Sequence, residues 1–290
     1  MLMKAEQAIS RLEHVPCPLC GKDDPRPTPY AQEPYRVVRC AGCQFWFLSP
    51  RLTSEATDEL YRSSDYFSGG TAGYSDYAGQ EKSLRITFRR LLRDLAGLRA
   101  TGGRLLEVGS GLGYFLDEAR DHFTQRCGIE LSPKAAANAA ELADAPVYQN
   151  LEDLGSESQF DCIVALHVIE HIHHPVAFLR RLTRHLTPSG TLVLAAPHMG
   201  SLWRHIMGRH WPSFKYPEHV SFFDASTLKR LFEEVGFRNP TRIAYLHDFP
   251  LSDILAKLHL PAPILTERIL IPLPATTICY AGRKLFGGTP

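Results

Sequence analysis

From Thr101 onward the chain alternates short apolar runs with amphipathic stripes, and few architectures accept that pattern. Residues 104–108 (RLLEV), 126–131 (RCGIEL), 146–150 (PVYQN), 160–168 (FDCIVALHV) and 191–197 (TLVLAAP) read as strands. Helices are expected between them. One follows Gly113, with Phe115, Leu116 and Ala119 turned inward. A second starts at Ser132 as N-cap, with Pro133 in its first turn. A third opens at Pro175, carries Leu179, Leu182 and Leu186 on one face, and stops at Pro188-Ser189-Gly190. Such alternation builds βαβ crossovers and a mostly parallel sheet covered by helices, an α/β fold. Upstream, apolar positions 84, 88, 91, 92, 95 and 98 mark another helix. Downstream, Ser226 is expected to cap a helix that Gly236 closes. TRIAYL reads as a sixth strand, LSDILAKLHL as a helical stripe and TTICYAGRK as a last strand.

The first strand runs into LLEVGSGLGYF, with glycines at 109, 111 and 113. In an open parallel sheet, the first strand-to-helix turn is where a nucleotide-like ligand meets the backbone. The spacing is G-x-G-x-G and lacks the third glycine of the dinucleotide fingerprint, which argues against NAD. Glu107 stands just before the glycines. Glu130 ends the second strand, where a carboxylate can accept bonds from both ribose hydroxyls. A carboxylate beside the loop suits a ligand with a cation or amine and opposes a pyrophosphate.

LLEVGSGLGYF, GIELSP, FDCIVALHVIEHIHHP, LTPSGTLVLAAP and PEHVSFFDASTLKRLFEEVGF together resemble the class I S-adenosylmethionine (SAM) dependent methyltransferases, over roughly residues 100–240. CPLCG followed by CAGCQFWFLSPR is similar to the N-terminal zinc module of one branch of that family. That branch includes sugar C-methyltransferases and enzymes of natural-product and glycan gene clusters. The resemblance implies a Rossmann-like, mostly parallel seven-stranded sheet whose last strand is antiparallel. It implies that Glu107 and the Gly109–Gly113 loop, with Ser110, Gly111 and Tyr114, hold the methionine part of SAM. Glu130 would bind the ribose, with Leu131 beside it. Asn150, Leu151 and Glu152 would border the adenine, Asn150 standing where relatives often carry aspartate. His167 would line the methionine end.

Cys17-Pro-Leu-Cys20 and Cys40-Ala-Gly-Cys43 are two C-x2-C pairs with nineteen residues between them. That spacing reads as a zinc ribbon, four thiolates closing a tetrahedral structural Zn2+ site. Gly21 and Gly42 suit the tight turns. The proline-rich segment between the pairs buries too little apolar area to fold alone, so the ion would supply folding energy. Cys127, Cys162 and Cys279 read as packing residues. The expected organisation is a ribbon over 1–48, a helical linker or flap over 49–100, and the core over 101–290. Acceptor-pocket insertions fall near 198–224 and 248–274. Tyr66, Phe67, Tyr74 and Tyr77 would pack on the surface or form the flap.

LHVIEHIHHP contains His167-x-x-Glu170-His171, the spacing of one class of zinc peptidase. That chemistry needs both histidines on one helix face, whereas His167 follows a strand. The stretch reads instead as the fourth strand and its exit loop. His171 then touches substrate or cofactor, and His173 and His174 face solvent. Tyr216-Pro217-Glu218-His219 resembles the Tyr-x-Glu-His cluster of sugar C-methyltransferases. By that resemblance His219 is the candidate base, Glu218 its orienter or a substrate ligand, and Tyr216 a hydrogen-bonding partner. A His219 that only braces the loop stays open. His198, Trp203, Arg204, His210 and Trp211 would shape the acceptor pocket or pack around it. Arg204 and Arg209 could bind an acidic group, with solvated arginines as the default expectation.

The net charge is +1, from 32 Lys+Arg against 31 Asp+Glu, which gives no field for nucleic acid or anionic membrane. No apolar run reaches the length of a membrane span, and the N-terminus lacks a signal-peptide h-region. A reducing, cytoplasmic compartment is therefore expected. Residues 248–274 are assigned to core or dimer packing ahead of peripheral membrane contact. The favoured partner is a small-molecule acceptor: a sugar, a lipid-linked glycan or a secondary metabolite. The alternative is an RNA methyltransferase whose ribbon binds RNA. Few basic residues in the ribbon (Lys22, Arg26, Arg36, Arg39) and Asp23-Asp24 weigh against it. A non-catalytic SAM-binding module is a third reading, opposed by the intact loop and Glu130.

Overall fold

The computed structural model describes residues 11–62, 78–257, 261, 263 and 269–284. The N-terminal part contains β1 (Leu12–Glu13), β2 (Pro25–Gln32), β3 (Tyr35–Cys40), β4 (Trp46–Leu48) and β5 (Arg51–Leu52). β2, β3 and β4 form an antiparallel meander, and β1 pairs with β5. β2 carries Pro25, Pro27 and Pro29 and lies at the sheet edge, where missing N–H groups cost no ladder bonds. The two C-x2-C turns have the same bonding. Gly21 N–H donates to the Cys17 carbonyl at 2.8 Å, and Gln44 N–H to the Cys40 carbonyl at 2.9 Å. The left-handed residues are Gly21 (φ +73°) and Gln44 (φ +65°), so Gly42 does not play the part expected of it. Gly42 instead gives room to the Lys22 stem, whose Cδ lies 2.6 Å from where a Cβ would stand.

Next come α1 (Ser54–Arg62) and α2 (Glu81–Gly97). The expected stripe on α2 is buried from Leu84 to Leu95, while Leu98 lies past the helix end and is exposed. The core then follows as β6 (Gly102–Val108), α3 (Tyr114–Glu118), β7 (Phe123–Ile129), α4 (Pro133–Ala143), β8 (Val147–Tyr148), β9 (Phe160–Leu166), α5 (Pro175–Leu182) and β10 (Leu186–Pro197). It continues through α6 (Leu202–Met207), β11 (Ser221–Phe222), α7 (Ala225–Glu234), β12 (Thr241–Ile243), β13 (His247–Pro250), α8 (Leu251–Lys257), β14 (Leu270–Leu273) and β15 (Thr277–Arg283).

Seven strands make the main sheet, in the order β12-β15-β10-β9-β6-β7-β8. β15 alone runs antiparallel to its neighbours. Period-two alternation sends Leu106, Ile163 and Leu194 into one apolar layer and Leu105, Cys162 and Val193 into the other. Both faces are covered, as a doubly wound sheet requires. Cys127, Cys162 and Cys279 are buried in these layers, and burial pushes the Cys162 thiol up to about 12. Among the described residues, no helix is long and apolar enough to cross a membrane.

Three local expectations give way. α5 ends at Leu182, and Leu186 already belongs to β10, which takes in Pro188–Gly190 across a register shift before Thr191. Asp224, not Ser226, caps α7. Its carboxylate accepts from Thr227 N–H at 2.9 Å, and the Thr227 hydroxyl accepts from Asp224 N–H at 2.9 Å. Ser226 only donates its hydroxyl to Asp224. TRIAYL contributes three strand residues, not six.

The meander does not stand alone. β11 adds to β4, with Ser221 opposite Phe47 and Phe222 opposite Trp46. Val37 and Leu48 share one apolar cluster with Met199, Trp211, Phe214, Val220 and Phe222.

Candidate functional site

The C-terminal ends of β6, β7 and β9 open into a cavity of 1210 Å³, the position a parallel sheet reserves for ligands. At one end lies the glycine turn. Gly109, Gly111 and Gly113 all have positive φ, at +75°, +54° and +87°. A Cβ on Gly109 would stand 2.4 Å from Val168 Cγ2, and one on Gly113 would stand 2.7 Å from Ala139 Cα. Glu130 lies just beyond the end of β7. Its two carboxylate oxygens accept Gly111 N–H and Ser132 N–H, both at 2.9 Å, which fixes the carboxylate against the turn. Each oxygen keeps a further lone pair for a hydroxyl donor. Glu107 is 3% exposed and its Oε2 has no hydrogen-bond partner. Burial, then the charge of Glu130, pushes its carboxyl well above the usual carboxylate range. A buried acidic side chain with one oxygen unpaired, behind a cradle that a side chain would fill, fits a ligand bearing an amine and a ribose, as SAM does.

Gly109, Gly111, Glu130, Leu131, Asn150, Leu151, Glu152 and His167 line the cavity. Asn150 also closes a capping box with Asp153. Glu107, Ser110, Gly113 and Tyr114 stand behind the wall. The Ser110 hydroxyl donates to the Ile129 carbonyl at 3.4 Å, and the Arg85 guanidinium covers the Tyr114 ring at 5.2 Å. His167 is held at φ +55°, a strained conformation for a β-carbon residue and one that clusters at functional sites. Its Nδ1 is 3.4 Å from Glu170 Oε1.

At the other end, His171, Ser213, Lys215 and His219 line the cavity with Trp203, Met207 and Trp211. His219 Nδ1 meets the Ser213 carbonyl at 2.8 Å, and His171 Nδ1 meets the Glu218 carbonyl at 3.1 Å. Each Nδ1 therefore carries the proton and each Nε2 the lone pair. Burial lowers both rings to about 3, helped by the Lys215 charge at His171 and by His171 at His219. Glu218 does not orient His219. Its carboxylate is bound by Lys215 Nζ at 2.8 Å. Tyr216 stacks on Phe214 and Tyr35, and neither Tyr216 nor Glu218 lines the cavity.

His173 is not solvent-facing. It is 8% exposed, its Nε2 meets the Leu52 carbonyl at 2.9 Å, and the Arg51 guanidinium donates to its own carbonyl. His174 is exposed. Arg204 is not solvated either. It donates to the Met199 carbonyl and the Tyr30 hydroxyl, both at 2.8 Å, and its guanidinium lies 5.9 Å from the Trp46 ring. Arg209 and His210 are exposed beside one another, and His198 is buried outside the cavity wall. Tyr245, His247 and Phe249 complete the wall. Phe249 falls in the stretch 248–274 expected to insert at the acceptor pocket, and Tyr245 in TRIAYL, expected only as a strand; His247 carried no expectation. Tyr66, Phe67, Tyr74 and Tyr77 lie outside the described residues.

The four ribbon cysteines converge. Cys17 and Cys43 Sγ are 3.5 Å apart, Cys20 and Cys40 Sγ 3.6 Å, and all four lie within 4.8 Å of one another. Bonds of about 2.3 Å in a tetrahedron put sulfurs about 3.8 Å apart, so the thiols fit a Zn2+ ion. Cys43 N–H points at Cys40 Sγ at 3.5 Å, as suits a thiolate.

Comparison with known proteins agrees with this geometry. The profile of a family described as a methyltransferase domain matches residues 81–241. A tRNA U34 carboxymethyltransferase from Dichelobacter nodosus is 34% identical over 116 residues, 37% of this chain and 36% of that enzyme. A ubiquinone biosynthesis O-methyltransferase from Rhodopseudomonas palustris is 31% identical over 144 residues, 45% of this chain and 53% of that enzyme. The matches thus span between about a third and a half of these relatives. The magnesium protoporphyrin IX methyltransferase of Synechocystis PCC 6803, solved with bound SAH (S-adenosylhomocysteine), superposes with a TM-score of 0.52 at 13% identity. That superposition covers 78% of this chain and 99% of that one. A SAM-dependent methyltransferase from Archaeoglobus fulgidus gives 0.50 at 19% identity, over 71% and 97%. Sheet order and glycine cradle define the class I SAM-dependent methyltransferase fold. The chain belongs to the methyltransferase-domain family.

Proposed function

We propose that the chain transfers a methyl group from SAM to a small-molecule acceptor, such as a sugar, a lipid-linked glycan or a secondary metabolite. The observation that supports this reading is the shared chamber. The glycine cradle and Glu130 stand at one end, and His219, Trp203 and Trp211 at the other, inside one concave cavity. SAM supplies a methyl group already activated by its sulfonium charge. Glu107 and the Gly109–Gly113 turn would hold its methionine part, and Glu130 the ribose. Asn150, Leu151 and Glu152 would border the adenine, and His167 the methionine end.

The chain's own work is alignment and exclusion of water. The tryptophans and Met207 would wall the acceptor in. An acceptor hydroxyl or acidic C–H must also lose a proton. His219 Nε2 carries a lone pair at the cavity wall, and the Ser213 carbonyl fixes the ring that presents it. The ribbon cysteines Cys17, Cys20, Cys40 and Cys43 would hold a structural Zn2+, whose binding energy would support the meander that pairs with β11.

The tRNA enzyme among the relatives raises an RNA acceptor as the competing reading. The ribbon's surface charge weighs against it, since Arg26 pairs with Asp24 and Arg36 with Glu33. Methyl-labelled SAM with host extract, split into small-molecule, lipid and RNA fractions, tests the choice. Label in the small-molecule or lipid fraction is expected. Label in RNA overturns the acceptor class.

A further inference from the structure

We propose that Glu170, His171 and His219 form a second metal site, for a divalent transition-metal ion, on the acceptor side of the cavity. One ligand atom from each lies within 4.8 Å of the others. All three residues line the chamber. Glu170 and His171 sit on the short turn after β9, and His219 comes from the segment before β11. Val220 N–H donates to the Glu170 carbonyl at 2.9 Å, which ties the two segments together.

The surroundings prepare the three groups as ligands. Metal-bound histidines usually give their other ring N–H to a carbonyl or carboxylate, which sets tautomer and ring angle. His171 and His219 both do this, through the Glu218 and Ser213 carbonyls. Their rings stand at 87° with centroids 4.6 Å apart, so neither blocks the other by stacking. Glu170 is 2% exposed, and its Oε2 is buried with no hydrogen-bond partner. A carboxylate oxygen left so is costly unless something cationic meets it. His167 Nδ1 stands 3.4 Å from the other oxygen, Oε1. Lys215 is the nearby cation that would oppose an ion, and Glu218 binds it at 2.8 Å.

The peptidase-like spacing in the sequence is therefore half informative. Glu170 and His171 are used, but the second imidazole comes from His219, far along the chain, and not from His167. Two imidazoles and one carboxylate with open positions suit Fe2+, Co2+, Zn2+ or Mn2+ better than Mg2+, which prefers an all-oxygen shell. What the ion would do rests on the methyl-transfer reading; whether it binds does not. An acceptor hydroxyl bound to the ion loses its proton to solvent more readily. The oxygen lone pair then forms a bond to the methyl carbon. The carbon–sulfur bond breaks with its pair left on sulfur, giving methyl ether, thioether and one released proton. In that state the His219 lone pair holds the ion, and the ion takes over the task of activating the acceptor.

Cobalt titration of the 290-residue protein, loaded with only one equivalent of zinc per chain so that the four thiolates take it and the second site is open, tests the site. One equivalent of Co2+ per chain is expected, with a visible spectrum that lacks thiolate charge transfer and so excludes the ribbon. Glu170→Gln, an isosteric change, and His171→Ala should each weaken binding by about tenfold or more. SAH calorimetry on the same samples reports whether the cavity is folded. Wild-type protein that binds SAH but takes up no Co2+, or only Co2+ with a thiolate spectrum, overturns the proposal. Wild-type affinity for Co2+ in Glu170→Gln overturns it as well. Co2+ binding without SAH binding would leave the metal site standing and remove the methyl-transfer reading instead.

Discussion

Gly113→Ala separates two costs that usually come together. Gly113 has φ +87°, and a Cβ there would stand 2.7 Å from Ala139 Cα and 3.0 Å from both Ala139 Cβ and O. Ala139 is fully buried in α4, and backbone atoms cannot swing aside. Gly236 offers a matched control. Its φ is +92°, and a Cβ would meet nothing within 4 Å. The left-handed backbone costs about 1–2 kcal/mol for an alanine at either site. Overpacking against α4 adds about 1–3 kcal/mol at Gly113 alone. Gly236→Ala should therefore lose about 1–2 kcal/mol and Gly113→Ala about 2–5 kcal/mol, measured as shifts in urea midpoint at unchanged slope. SAH affinity should fall about tenfold in Gly113→Ala, as about 1.4 kcal/mol of misplacement at the turn would give. It should be unchanged in Gly236→Ala. Equal losses of stability in the two variants would refute the close approach of the turn to α4.

His219→Ala should leave SAH affinity intact and lower turnover at least about 100-fold; a rate near wild type would reduce His219 to a brace for the Ser213 loop. Cys17→Ser should release one zinc per chain and lower the melting temperature, and elemental analysis finding no ribbon zinc in wild type would refute that site. Asp224→Ala should cost about 1 kcal/mol as a lost N-cap, against a few tenths for Ser226→Ala, by urea denaturation; the reverse order would restore Ser226 as the cap. Glu107 has a folded pKa above its unfolded one. Between the two values the folded chain holds more protons, so stability falls as pH rises through that window. Glu107→Gln should flatten the decline, and an unchanged pH profile would show that Glu107 does not cause it.

The sheet was legible because its strands are short apolar runs whose burial on both faces leaves no alternation to misread. The cradle was legible because positive φ at Gly109, Gly111 and Gly113 restricts residue choice. What escaped depends on partners distant in sequence. His173 looks like a polar loop residue until Leu52 supplies a carbonyl and Arg51 covers it. Glu218 looks like the orienter of its neighbour His219, yet Lys215 takes its carboxylate and Ser213 supplies the orienting carbonyl. A two-residue strand such as β11 has no pattern of its own, and only pairing with β4 defines it. The cap of α7 moved because Asp224 and Thr227 satisfy each other's N–H groups, a reciprocity that Ser226 cannot offer.

The β4–β11 ladder also bears on the order in which the molecule is completed. Leu48 N–H donates to the Val220 carbonyl at 2.9 Å, so the residue after His219 is held by a strand from the start of the chain. On a ribosome, that first strand emerges long before its partner, and a loop of about 170 residues must close before they pair, a slow step for non-local contacts. Glu107, Gly111 and Glu130 belong to a region that can close around its own local βαβ contacts earlier. The acceptor half depends on that distant pairing of residues 46–48 with 221–222, whereas the cofactor half does not.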